Sequence, residues 1–169
     1  ATDLDGLSDS KSEGTNFTGS LLVGHQTTGT LDNARYNTGV GLASLDALTT
    51  GDYNTAVGYT ALTINTTGTR NAAIGPYALR DNTEGDDNVA IGYEALEENT
   101  TGDDNVAIGY HALNANTTGG GNTAIGRSAL KDANRTADTD GYNTALGYNA
   151  GNTGTNDVTT GNKNTLLGA

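Results

Sequence analysis

No cysteine occurs among the 169 residues, so disulfides, thiolate–metal sites and cysteine nucleophiles are all excluded. Apolar residues are scarce at 34%, aromatics make up 5% and charged residues 17%. That is too little apolar bulk for an ordinary single-core domain of this length. No apolar run approaches the length a transmembrane helix needs, and no signal-peptide pattern opens the chain. Any export signal or membrane anchor is therefore expected outside this segment. Positive charge is short as well: 8 Lys and Arg stand against 20 Asp and Glu, a formal charge of −12. This balance argues against nucleic acid or an anionic membrane as a partner. What abounds is glycine, with 25 residues. Two readings remain: a disordered polar chain, or a repeat protein that buries small residues by stacking.

Internal repeats decide between them. Aliphatic-Gly pairs occur at Val23-Gly24, Val40-Gly41, Val57-Gly58, Ile74-Gly75, Ile91-Gly92, Ile108-Gly109, Ile125-Gly126, Leu146-Gly147 and Leu167-Gly168. Six successive spacings are 17 residues and the last two are 21. The longer steps fit an enlarged loop at Lys131–Asp140 and another at Asn152–Gly161. Four residues before the glycine stands Asn37, Asn54, Asn71, Asn88, Asn105, Asn122, Asn143 or Asn164, with Ser20 in the first copy. An alanine column lies two before it, from Ala56 to Ala145, and Ala-Leu pairs such as Ala95-Leu96 follow it.

Each unit thus offers two short strand-like stretches, Asn-x-Ala-(Ile/Val)-Gly and Tyr-x-Ala-Leu. A Gly-centred bend joins them and an Asn-Thr-Thr-Gly turn closes the unit. Helix start signals are missing, and neither stretch is long enough for a typical helix. The pattern predicts an all-β parallel β-solenoid of about nine coils with two strands per coil, rising about 4.8 Å per layer. Stacking is expected to bury the aliphatic column and let the asparagines hydrogen-bond along their own column. Residues 1–16, with Asp3, Asp5, Asp9 and Glu13, read as a polar lead-in or cap, and 17–169 as the repeat domain. The abrupt end at Leu167-Gly168-Ala169 reads as a fragment of a longer chain.

Hexapeptide β-helices, the calcium-binding nonapeptide roll and leucine-rich repeats all fail on period or pattern. The units do resemble the head repeat of trimeric autotransporter adhesins, the YadA-like head. Asn88-Val89-Ala90-Ile91-Gly92, Asn105-Val106-Ala107-Ile108-Gly109 and Asn122-Thr123-Ala124-Ile125-Gly126 carry that resemblance. Asn54-Thr55-Ala56-Val57-Gly58 and Asn143-Thr144-Ala145-Leu146-Gly147 match more loosely. It runs from about Leu21 to Ala169, with a unit longer than the common family repeat of about 14 residues. The resemblance implies a left-handed parallel β-roll assembled as a homotrimer and displayed on a Gram-negative surface, anchored in the outer membrane through missing flanks. A single coil buries so little apolar area, at about 25 cal/mol per Å², that a shared axis would help offset chain entropy. Val89 and Ile91 should face one side of their strand and Ala90 the other; which side meets a neighbouring chain stays open.

Catalytic chemistry is not visible, and no cofactor or metal site is expected. The two histidines, His25 and His111, lie five units apart, about 24 Å along a stacked rod, and neither has an evident catalytic partner. Asp86-Asp87 and Asp103-Asp104 recur one coil apart, which would bring like charges close. Either the turns splay into solvent, the preferred reading, or a cation such as Ca²⁺ sits between them. Glu94, Glu97 and Glu98 extend that acidic band. Tyr59, Tyr93, Tyr110 and Tyr148 share the column after the glycine, interrupted by Leu42, Pro76 and Arg127. They read as sealing an edge of the core or an interface rather than as a ligand site. Asn65, Asn99 and Asn116 fit the N-glycosylation pattern through turn chemistry alone.

The function that follows is a non-enzymatic adhesin head binding a matrix protein, cell-surface or glycan ligand. A phage tail-fibre segment is the alternative; it predicts the same trimer and differs in its flanks. An ice-binding solenoid is disfavoured because the column Thr38, Thr55, Ala72, Val89, Val106, Thr123, Thr144 is too mixed for a regular lattice. The enlarged loops are the first place to look for ligand contacts.

Overall fold

In the Asn-x-Ala-aliphatic-Gly motif, alternate side chains point to opposite faces, and the β-branched and small residues favour an extended backbone. A computed structural model of the chain describes residues 10–12, 19–24, 33–133, 141–152 and 163–168. Each motif forms one three-residue strand: β2 (Leu21–Val23), β3 (Thr38–Val40), β4 (Thr55–Val57), β5 (Ala72–Ile74), β6 (Val89–Ile91), β7 (Val106–Ile108), β8 (Thr123–Ile125), β9 (Thr144–Leu146) and β10 (Thr165–Leu167). They stack in sequence order into one sheet, every pair from β2 to β10 parallel and in register. Ala90, for example, sits between Ala73 and Ala107. The described residues form an all-β parallel solenoid of about seven turns. Within the lead-in, β1 (Ser10–Ser12) pairs antiparallel with β2, covering the edge at which the stack begins.

In the described units the second stretch is not a strand. From Tyr93 to Leu96 the backbone turns repeatedly, with φ of +51° at Glu94 and +52° at Leu96. Each left-handed non-glycine residue costs about 1–2 kcal/mol, and the same pattern recurs at Thr60 and Leu62, His111 and Leu113, and Ser128 and Leu130. Inter-coil hydrogen bonds offset that cost. The Glu94 amide donates back to Pro76 O at 3.1 Å, and the Leu96 amide donates forward to Ala112 O at 2.9 Å. Alternating handedness aims the amides of the two left-handed residues at opposite neighbours and tucks each leucine inward, while the Ala95 amide between them donates to Gly92 O at 3.4 Å. Parallel stacking is thus kept without extended chain, which period-2 reasoning misses.

The core corrects a second expectation. Ala56, Ala73, Ala90, Ala107, Ala124 and Ala145 are fully buried, packed with the leucines at 45, 62, 79, 96, 113 and 130. The aliphatic column faces out instead: Val57 remains 38% exposed, Ile74 43% and Ile91 37%. The interior is narrow enough that alanine and leucine fill it, so the bulkier β-branched residues occupy the opposite pleat. At the bend, Gly92 has φ +135°, and a Cβ there would lie 2.6 Å from Gly109 O. Only glycine meets both conditions, the conformation and the approach of the next coil.

Candidate functional site

Two buried asparagine columns run along the solenoid and hold its surfaces in place. In the first, the Asn88 side chain donates to Gly102 O at 2.8 Å and to Asn71 Oδ1 at 3.2 Å. Its own Oδ1 accepts from the Asn105 amide at 3.0 Å. The chain of contacts begins where Ser20 Oγ accepts from the Asn37 amide, and it ends where Asn143 Oδ1 accepts from Asn164. The column expected from sequence therefore forms.

A second column runs through the closing turns. Asn82, Asn99 and Asn116 each donate to the Oδ1 of the asparagine one coil earlier, at 2.7–2.9 Å. Each also donates to the glycine carbonyl three residues on, at 3.0 Å. These asparagines open the Asn-Thr-Thr-Gly turns, Asn-Thr-Glu-Gly at Asn82, and Asn65, Asn82, Asn99 and Asn116 repeat every 17 residues in the sequence. Asn65, Asn99 and Asn116 are completely buried, so in the folded chain the glycosylation pattern falls on enclosed, hydrogen-bonded side chains.

The acidic pairs stack as the spacing requires, but they have protein partners. Asp86 Oδ1 accepts from the Thr69 amide at 2.7 Å, and Asp103 Oδ1 accepts from the Asp86 amide at 2.7 Å. Asp87 closes a bidentate pair with Arg70 at 2.6 and 2.7 Å. That guanidinium holds the Asp87 carboxyl below its ordinary range and the carboxylate raises Arg70 in turn. Among the described residues no group of three metal-ligating side chains converges. Glu97 departs from the exposed acidic band: it is buried, contacts Arg80 and accepts from Asn114 Nδ2 at 3.0 Å. Burial pushes its carboxyl up, opposed by Asn114 and Arg80.

Two surfaces remain for recognition. The first is the outward row Val23, Val40, Val57, Ile74, Ile91, Ile108, Ile125, Leu146 and Leu167, every member exposed or half-exposed. Beside it runs the row Thr38, Thr55, Ala72, Val89, Val106, Thr123, Thr144 and Thr165. Together they make a flat, largely apolar strip, of the kind that monomeric proteins seldom leave open. The second is the tyrosine column, which the structure shows to be continuous across its sequence gaps. Tyr77 moves into line beside Pro76, 5.3 Å from Tyr59 and 5.7 Å from Tyr93. Tyr93 stacks on Tyr110 at 5.3 Å, and Arg127 sits over both Tyr110 and Tyr148 at 5.3 and 5.7 Å.

His111 stacks on Tyr110 with ring centroids 3.9 Å apart. Its Nε2 lies 2.7 Å from Glu94 Oε2 and is buried without a well-formed hydrogen bond. Desolvation lowers the imidazole pKa, with Glu94 acting in the opposite direction. The hydrogen bond from Tyr93 to Glu94 pushes the phenol up to about 12. His25 lies outside the described residues, as do 134–140 and 153–161 of the enlarged loops.

Compared with known proteins, the chain matches no family model, no curated protein and no solved structure. The fold and its surfaces carry the functional reading by themselves.

Proposed function

We propose that the chain is the head of a bacterial surface adhesin: a non-enzymatic rod that attaches its bearer to matrix, cells or surfaces. In this reading nine coils wind as a left-handed roll, and three copies share an axis. The whole is anchored in the outer membrane of a Gram-negative cell by regions outside this chain. The observation that carries it is the outward aliphatic row. Covering a side chain already about 60% buried adds on the order of 1 kcal/mol. Summed over nine residues this is about 9 kcal/mol per chain, comparable to the 4–15 kcal/mol or so that association costs. A row that repeats identically at every coil suits a partner with the same rise, and a second copy of the chain has it. The phage-fibre alternative shares this assembly and separates from the adhesin only in its flanks. An ice-binding surface is disfavoured by Ala72, Val89 and Val106, which interrupt the outward threonines.

Beads coated with the assembled protein should be retained on wells carrying matrix proteins or cultured cells, and washed from albumin-coated wells. Equal retention on all three would overturn the adhesin reading.

A further inference from the structure

The described cations of this acidic chain are not used alike. Arg70 is held by Asp86 and Asp87, and Arg80 by Asp81 and Glu97. Arg127 has no carboxylate within ion-pair distance among the described residues, although it is exposed on a chain of charge −12. It fills the position after Gly126 where other coils place tyrosine, and its guanidinium lies between the Tyr110 and Tyr148 rings. Stacking fixes the plane of the group without consuming its N–H edge, which is free to meet a carboxylate bidentately. The two phenols beside it are also exposed. Their faces are turned towards Arg127, so they offer edges and hydroxyls outward.

Arg127 and Lys131 both act on His111 and disfavour its charged form, which puts the three groups within electrostatic reach of one another. Glu94 lies against His111 and also accepts from the Tyr93 hydroxyl. The paired acids Asp86, Asp87, Asp103 and Asp104 lie before the strands, whereas Arg127 follows one, on the far side of the outward strip. Screening over about 8 Å at physiological salt shields this edge from them.

We infer that Arg127, flanked by Tyr110 and Tyr148, is a subsite for the carboxylate of an acidic sugar within an extended polysaccharide. The guanidinium takes the carboxylate, and the phenol hydroxyls take ring hydroxyls on either side. An acidic glycan fits better than an acidic peptide because the site pairs one cation with several neutral hydroxyl partners. The surface is shallow, so a single copy binds weakly and affinity comes from several copies engaging one chain of sugar. This inference rests on the reading of the chain as an attachment module and names its ligand class.

The chain has eight tyrosines and no tryptophan, so tyrosine fluorescence reports binding directly. The full chain is titrated with a hyaluronan hexasaccharide and with its carboxyl-reduced, neutral analogue. The acidic sugar is expected to bind at least about tenfold more tightly, as one charge-assisted hydrogen-bonded pair would give. Arg127→Gln should abolish that preference, while Arg70→Gln, which removes a cation already paired, should leave it intact. Equal affinity for both sugars, an unchanged preference in Arg127→Gln, or tighter binding of a poly-glutamate peptide would each overturn the assignment. Retention on matrix without sugar binding would sink the subsite and spare the adhesin; sugar binding without retention would do the reverse.

Discussion

Two rows of the same strands, one residue apart, have opposite fates. Ala73, Ala90 and Ala107 disappear into the interior, while Ile74, Ile91 and Ile125 face outward with more than a third of their surface open. Hydrophobicity alone would put the isoleucines inside. Volume decides otherwise: the coil is tight enough that leucine from the opposite wall meets alanine from the strand and fills the space. The inner row, with its asparagine columns, makes the solenoid; the outer row is free to make an assembly. Substitutions on the two rows should therefore fail in different ways.

The largest effect belongs to the bend that lets coils approach. Gly92→Ala places a methyl against the Gly109 carbonyl in a backbone conformation that L-residues avoid, and should cost about 3 kcal/mol or more. Circular dichroism melts would show it as a large drop in Tm or as loss of the fold. Next comes the buried polar column. Asn88→Ala leaves the buried Asn105 amide without its acceptor, worth about 1–3 kcal/mol, while Gly102 O keeps its second donor in Asn99. Its urea midpoint should fall clearly, and less than that of the glycine variant.

The outer row should behave differently. Ile91→Ser, at a position 37% exposed, is expected to lower the stability of one folded chain by about 1 kcal/mol. With Ile74→Ser and Ile108→Ser added, it should shift the sedimentation coefficient towards a single chain while the β spectrum persists. A triple variant that unfolds would show that the outer row belongs to the core after all.

The smallest effect is a pH dependence. Because His111 has a lowered pKa in the folded chain, the unfolded chain takes up its proton first. Stability is then lost as pH falls below about 6.5. Between about pH 7.5 and pH 5.5 the wild-type Tm should drop further than that of His111→Gln, by a degree or two. An identical drop in both would remove His111 from the account.

Much of this was legible in the sequence because a solenoid writes its register as a period. The 17-residue spacing of Gly41, Gly58 and Gly75 gave the coil, and the in-phase asparagines gave the first polar column. The rest was lost for physical reasons. Tyr-x-Ala-Leu looks like a strand because alternation is all that a two-residue period records. Left-handed residues at Glu94 and Leu96 produce the same inward leucine with a folded backbone. The aliphatic column reads as inward from residue type alone, which does not record how little room one coil encloses. Asn65 and Asn99 were read as turn formers, which they are; their stacking depends on the coils being superposed, and the repeat already contained that information. The continuity of the tyrosine column through Tyr77 and Arg127 needed coordinates, since Tyr77 stands one residue out of phase.

The central claim is that the outward aliphatic row is covered by further copies of the same chain. Light scattering coupled to size exclusion tests it most directly. The account predicts a solution mass of three chains for the wild type, with a β spectrum. A folded chain that remains a monomer at high concentration would contradict it.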